Sequence, residues 1–291
     1  MSDTIIDTLA EMNVFQIAFG GGEPFSREDF LEIAKYTYDR GIIPNVTTNG
    51  VLINNIDKLD IFGQINVSLD GADEETYFKV RGCNAFKQAL RAIKTLAGSF
   101  DVGINVVVTK YNFEKLPDIF KLAEELGASE VMLIRVKPVG RCEINYEELK
   151  LSRLQLSRFD DTIKALLEYD VTLRVDCAFM PFLNVDENVM IGMQGCDCGI
   201  SSLAVKADGK VTPCSFLNYN LGFYRDIKDI WNKMDEFRNY TVNECNGCDK
   251  VEICRGGCRV FSEKFGNGIF GADVECLRIL SAVGYGVHDQ R

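Results

Sequence analysis

The sequence predicts an α/β protein: a parallel barrel or doubly wound sheet, followed by a small cysteine-rich domain built around a β-hairpin. Three observations predict it. Between residues 14 and 138, short apolar runs alternate with amphipathic stretches in five successive units. Each unit has the length of a right-handed crossover between parallel strands. Past residue 195 this periodicity fades, and eight of the eleven cysteines fall within residues 196–276.

The elements follow in order. The residues before Val14 read as a helix. Residues 14–19 form a near-continuous apolar run, as suits a strand covered on both faces, and end in Gly20-Gly21-Gly22. A helix is predicted over 27–40, capped by Ser26 and stopped by Gly41. The strand 42–46 ends at Thr47-Thr48-Asn49-Gly50, a helix is expected over 52–59, and the strand 65–69 ends at Asp70-Gly71. Helix 85–96, strand 102–109, helix 116–126 and strand 131–136 complete the five units. A charged amphipathic helix over 149–169 and a strand over 171–175 read as a connector. Residues 203–212 predict a hairpin with an Asp208-Gly209 turn, bracketed by Cys198 and Cys214. A helix follows over 226–238, with Trp231 on its core side. Residues 243–257 read as a loop held mainly by its cysteines. The expected division is therefore 1–145, 146–190 and 191–291.

Composition narrows the function. The chain has 291 residues, 46% of them hydrophobic, and a net charge of −11. Nucleic-acid binding needs Lys and Arg to neutralise phosphates, so this acidic chain without a basic run is not expected to bind nucleic acid. Its apolar runs fall short of the ~20 residues that span a bilayer, so no membrane association is expected. Met1-Ser2-Asp3-Thr4 lacks the basic and apolar regions of a signal peptide, which places the expected compartment in the cytoplasm. There thiols stay reduced, and a local cysteine cluster points to metal or redox chemistry rather than disulfides. The core spacing is Cys245-x2-Cys248-x5-Cys254-x3-Cys258. Eight thiolates, Cys196, Cys198, Cys214, Cys245, Cys248, Cys254, Cys258 and Cys276, make two sets of four. Two zinc ions or two [4Fe–4S] clusters both satisfy that count. Zinc sites commonly recruit His, and the one His, His288, lies near the C-terminal end. Cys83, Cys142 and Cys177 read as small apolar residues.

Polar residues cluster just after strand ends: Gly22-Glu23-Pro24, Thr48-Asn49-Gly50 and Ser68-Leu69-Asp70-Gly71. In parallel α/β folds that edge carries the ligand site.

These residues resemble the radical SAM enzymes that carry a C-terminal SPASM domain. The turns Gly21-Gly22-Glu23-Pro24, Thr48-Asn49-Gly50 and Ser68-Leu69-Asp70-Gly71, with Arg81-Gly82, match the first half of that family. Cys198-x10-Gly209-x4-Cys214, the Cys245 to Cys258 string and Cys276 match the second. The resemblance selects iron–sulfur clusters over zinc. It implies one auxiliary [4Fe–4S] cluster on Cys198, Cys214 and Cys258, with Cys196 as candidate fourth ligand, and another on Cys245, Cys248, Cys254 and Cys276. It implies S-adenosyl-L-methionine (SAM) bound at the backbone of Gly21, Gly22 and Glu23, with Ser68 and Arg81 facing its carboxylate and Thr48, Asn49 and Asp70 nearby.

One departure stands against these matches. The family holds a third, catalytic [4Fe–4S] cluster on a CxxxCxxC after its first barrel strand, and no such motif occurs in these 291 residues. The resemblance therefore implies a partial parallel (β/α) barrel of the radical SAM type, its first strand and cluster loop missing through truncation or degeneration, or supplied by another chain. The resemblance implies an oxidoreductase that generates a 5′-deoxyadenosyl radical to modify a peptide or protein, less readily a tetrapyrrole, with a flavodoxin or ferredoxin as reductant. This chain alone is expected to be inactive. In the sulfatase-maturing branch an Asp base follows the second SPASM cysteine. Ser215 stands there here, so no general base is assigned. The rival reading is a non-catalytic cluster-binding or electron-transfer protein, or one partner of a split enzyme.

Overall fold

A computed structural model describes residues 2–53, 56–184 and 195–276. The chain divides into two compact units, residues 1–134 with 165–174, and residues 135–164 with 175–291.

The first unit is built on a six-stranded sheet in sequential order. Its strands are β1 (Gln16–Phe19), β2 (Ile43–Thr48), β3 (Gln64–Ser68), β4 (Val102–Val108), β5 (Glu130–Arg135) and β6 (Thr172–Val175). β1 pairs parallel with β2, β2 with β3 and β3 with β4, in the registers Gln16↔Ile43, Asn45↔Gln64 and Ile65↔Val102. The apolar runs behave as parallel strands should: Val46, Ile65, Val67, Ile104, Val106, Val131 and Leu133 are buried. Helices α1 (Ser2–Glu11), α2 (Phe30–Asp39), α3 (Glu74–Arg81), α4 (Phe86–Ala97) and α5 (Leu116–Leu126) flank them. α4 buries Ala89, Ala92, Ile93 and Leu96, and α5 buries Leu116, Ile119, Phe120 and Ala123, each at helical spacing. The Asp7 carboxylate joins α1 to α2, accepting from Tyr36 Oη at 2.9 Å and from Arg40 at 2.9 Å.

The five expected strands are present, and the expected connector strand joins the same sheet as β6. Three expectations on helices need correction. Residues 52–59 form turns among the described residues, not a helix. Lys58 is left-handed (φ 68°), which no α-helix tolerates, and Ile53 and Leu59 are buried one by one. The long helix expected over 149–169 is three: α6 (Cys142–Leu149), α7 (Arg153–Ser157) and α8 (Phe159–Leu166). Ser152 begins a new helix through a capping box with Gln155. The helix expected over 226–238 is split into α9 (Ile227–Asn232) and α10 (Asp235–Arg238).

In the second unit the expected hairpin pairs β7 (Ala204–Val205) with β8 (Lys210–Thr212). A third antiparallel strand, β9 (Gly222–Phe223), pairs with β8. Short helices α11 (Val251–Cys254) and α12 (Arg259–Phe265) punctuate the cysteine-rich stretch. Phe159 stacks on Phe179 at 4.0 Å between centroids, and Phe261 is fully buried. His288 lies outside the described residues.

Candidate functional site

In the first unit the polar turns meet at the strand ends. Glu23 follows β1 and reaches the turn after β2: Oε1 accepts from Thr48 Oγ1 at 2.7 Å, and Oε2 accepts from the Asn49 N–H at 2.7 Å. Oε1 also accepts from the Phe25 N–H at 3.2 Å. Thr48 Oγ1 in turn accepts from the Gly50 N–H at 3.1 Å, and Asn49 Oδ1 from the Val51 N–H at 2.8 Å. Glu23 is thus a brace between two turns. Gly21 and Gly22 are exposed, and a Cβ added at either would meet nothing within 4 Å. Gly21 has φ 129°, a conformation that disfavours any L side chain. The turn therefore offers bare backbone beside open space, which fits close approach of a polar ligand.

After β3, Asp70 is buried and its carboxylate is fully engaged. Oδ2 accepts from Arg81 Nη1 at 2.8 Å and Oδ1 from the Val107 N–H at 2.6 Å. Burial pushes the Asp70 carboxyl up from its ordinary value, opposed by Arg81 and the Val107 amide. Asn112 Nδ2 donates to the Asp70 carbonyl at 2.9 Å, which ties the turn after β3 to the turn after β4. Sequence reasoning missed Asn112, although an Asn two residues into the Lys110-Tyr111-Asn112 turn is a common backbone anchor. Ser68 closes β3, half-buried. Arg81 ends α3, with its side chain 21% exposed.

In the second unit the cysteines form two groups. Cys245, Cys248, Cys254 and Cys276 line one cavity of about 100 Å³ with Pro181, Asp249, Lys250, Val251 and Gly256. The chain reaches it through a tight run of left-handed residues, Arg255, Gly256 and Gly257. Gly195 lies against the end of α11, just before that run: its N–H donates to the Ile253 carbonyl at 2.8 Å, and an added Cβ would stand 2.4 Å from the Cys254 carbonyl oxygen. Only glycine fits there, one residue before Cys196.

The other group holds Cys177, Cys196, Cys198, Cys214 and Cys258. Cys196 lies in thiol–thiol hydrogen-bonding contact with both Cys177 and Cys198, which holds its pKa well below the ordinary thiol value. Burial pushes Cys258 up to about 12, against the pull of Lys137. Lys137 is itself buried and paired with Asp176, which accepts a 3.4 Å contact from Cys177 Sγ. The Lys137 ammonium lies 4.7 Å from the Phe216 ring, whose backbone N–H reaches Cys214 Sγ at 3.5 Å. Burial works against the Lys137 charge, yet Asp176 and the neighbouring Cys258 and Cys177 thiols hold its pKa above the ordinary value. The expectation that Cys177 is only a small apolar residue overlooked this neighbourhood; its sequence signal was the adjacent Asp176. Cys83 is exposed.

Every cysteine among the described residues is free of disulfides. Among those residues no three His, Cys, Asp or Glu side chains converge as ligands of a single ion would. A [4Fe–4S] cubane asks for one thiolate per iron, at separate corners. Four thiols around one cavity fit that demand.

The fold and the cysteine sites together define the class. The chain belongs to the radical SAM superfamily, which matches residues 3–123, and carries the SPASM iron–sulfur cluster-binding domain, matched over residues 196–259. It is 30% identical to the mycofactocin maturase MftC of Mycobacterium ulcerans over 97% of this chain and 79% of that protein. It is 29% identical to the AdoMet-dependent heme synthase of Oleidesulfovibrio alaskensis over 88% of this chain and 72% of that one. Among solved structures, Streptococcus suis SuiB bound to S-adenosylmethionine superposes with a TM-score of 0.74 at 19% identity, covering 94% of this chain and 69% of SuiB. The structure of native anSMEcpe with bound AdoMet gives a TM-score of 0.70 at 22% identity, covering 94% of this chain and 83% of that one. These likenesses bear out the expected fold.

Proposed function

We propose that this chain is the SAM-binding and auxiliary-cluster portion of an oxidoreductase that modifies a peptide or protein. The observation that carries the reading is the cavity lined by four thiols, three from the run 245–254 and one, Cys276, from further along the chain. The substrate class rests on relatives: maturases lead the similar proteins, a PqqA peptide cyclase is 26% identical, and SuiB has been solved with its precursor peptide SuiA. The heme synthases at 29% identity support a tetrapyrrole as a second reading.

Cys245, Cys248, Cys254 and Cys276 would hold one [4Fe–4S] cluster. Cys198, Cys214, Cys258 and Cys196 would hold the other, with Cys177 a fifth thiol competing for four corners. The SPASM match opens at Cys196, which supports that residue among the ligands. For SAM, the backbone of residues 21–23 would take the amino group, and Ser68 and Arg81 the carboxylate. Glu23, Thr48, Asn49 and Asp70 act one step back, holding those turns and the guanidinium in place. A reduced catalytic cluster, when bound, would supply the one electron that splits SAM into methionine and a 5′-deoxyadenosyl radical. The ligands for that third cluster would come from a CxxxCxxC outside these residues, in the loop after a strand that pairs with the edge strand β1. The electron would come from a ferredoxin or flavodoxin. Thiolate ligands of this kind suit a reducing compartment, the cytoplasm. No helix among the described residues is long and apolar enough to cross a membrane.

Anaerobic reconstitution with iron and sulfide tests the reading. About eight irons per chain are expected, four for each cluster. Uptake of two zinc ions with no iron would sink it.

A further inference from the structure

Arg135 ends β5 with 2% of its surface exposed. A guanidinium stays charged at any pH a protein survives, so its burial is costly unless every face is compensated. Here every face is. Nη1 donates to Asp273 Oδ2 at 2.6 Å and to the Ala178 carbonyl at 2.9 Å. Nη2 donates to Glu275 Oε2 at 2.7 Å and to Asp273 Oδ1 at 3.5 Å. The guanidinium lies 3.6 Å from the Phe261 ring centroid and 4.8 Å from that of Phe182. Tyr146 Oη donates to the second Glu275 oxygen at 2.8 Å.

Both carboxylates belong to the turn that delivers Cys276. The Cys276 N–H donates to the Asp273 carbonyl at 3.1 Å, and the Glu275 N–H to Asp273 Oδ1 at 3.0 Å. The Asp273 N–H donates to the Gly256 carbonyl at 2.8 Å, inside the left-handed run between Cys254 and Cys258. A charge network of this kind adds little net stability, since apolar residues of the same volume often pack as well. What it does supply is a single geometry, because a bidentate guanidinium fixes the carboxylates in angle as well as distance.

We propose that Arg135 is the positioning residue of the second cluster site, clamping Asp273 and Glu275 so that Cys276 closes the site of Cys245, Cys248 and Cys254, and biasing that cluster's potential with its charge. The proposal rests on the reading that these four thiols hold a [4Fe–4S] cluster.

The test reconstitutes the full chain anaerobically as wild type, Arg135→Lys, Arg135→Met, Glu275→Gln and Cys276→Ala. Iron content, the electron paramagnetic resonance (EPR) signals of the reduced clusters and their midpoint potentials are compared. Cys276→Ala identifies which signal belongs to the second cluster. Arg135→Met is expected to lower iron from about eight to about four per chain, with loss of that same signal and retention of the other. Arg135→Lys keeps the charge without the fork and is expected to retain both clusters with that one signal shifted. Glu275→Gln keeps shape and removes one negative charge, so it is expected to raise the potential of that cluster alone. It serves as the deciding variant if Arg135→Met does not fold. Wild type failing to take up about eight irons overturns the underlying cluster reading. Wild type loading fully, while the folded variants keep both signals and both potentials unmoved, overturns the role of Arg135 and leaves the cluster reading standing.

Discussion

Glu23 uses both of its carboxylate oxygens within the protein, on Thr48 and on the Asn49 amide. That engagement decides between the two roles such a residue could have in a ligand turn. A carboxylate occupied on both oxygens braces its surroundings and leaves the ligand to the bare backbone beside it. Glu23→Ala removes hydrogen bonds to a charged group, each worth about 1.5–3 kcal/mol. It is expected to loosen both turns and weaken SAM binding to the cluster-loaded protein about tenfold or more, measured by equilibrium binding; unchanged affinity would remove Glu23 from the site. Lys137 is buried beside Cys258 and Cys177, where the cluster on Cys198, Cys214 and Cys258 is proposed. A buried cation favours the more negative, reduced cluster, so Lys137→Met is expected to lower that cluster's midpoint potential while iron content stays at about eight. Which of five thiols fill four corners is also a question at this scale. Alanine at Cys198, Cys214 or Cys258 should each disrupt the cluster, and of Cys177→Ala and Cys196→Ala only one should, read by iron content and EPR. The motif spacing makes Cys198 visible in the sequence. Nothing in the spacing reveals Cys177, because it is brought to Cys196 by the fold rather than by its place in the string.

At the scale of elements, the parallel strands were legible because an apolar run bounded by turn formers has few other uses. The helices were less so. α3 went unpredicted: its residues carry little amphipathic pattern, and what starts it is Asp73, whose side chain accepts from the Thr76 N–H at 2.7 Å. That bond holds the Asp73 carboxyl below its ordinary pKa. A depressed carboxyl contributes stability that is present above its unfolded pKa and is lost as pH falls through the lower folded value. Asp73→Ala is expected to cost about 1 kcal/mol near neutral pH by denaturant unfolding, and the difference from wild type should vanish in strong acid. A constant difference down to the lowest pH would assign the effect to something other than the cap. Helix α3 matters because Arg81 sits in its last turn, with Gly82 closing it in a left-handed conformation (φ 70°). The expected helix over 149–169 broke where Ser152 and Gln155 form a capping box, a signal present in the sequence and outweighed there by the longer apolar periodicity.

For the molecule as a whole, two compact units carry two kinds of site: hydrogen-bonded turns at the strand ends of one, and two thiol groups in the other. Within these 291 residues no CxxxCxxC supplies the catalytic cluster. Purified alone, reconstituted and reduced, the chain is therefore expected to yield no 5′-deoxyadenosine from SAM above background by chromatography. Adding a segment that bears the motif should restore it. Turnover by the chain alone would mean that other residues provide that cluster. The sequence by itself determined the fold class, the strand-end turns and the count of thiols, since apolar periodicity, turn chemistry and cysteine spacing are local and survive without knowledge of contacts. Only the tertiary structure decided that Glu23 and Asp70 are braces, that Cys177 joins Cys196, and that Arg135 lies buried between Asp273 and Glu275. Those facts concern residues between 11 and 140 positions apart or thiols drawn together by folding, and pairing of polar groups across elements leaves no periodic trace in the chain.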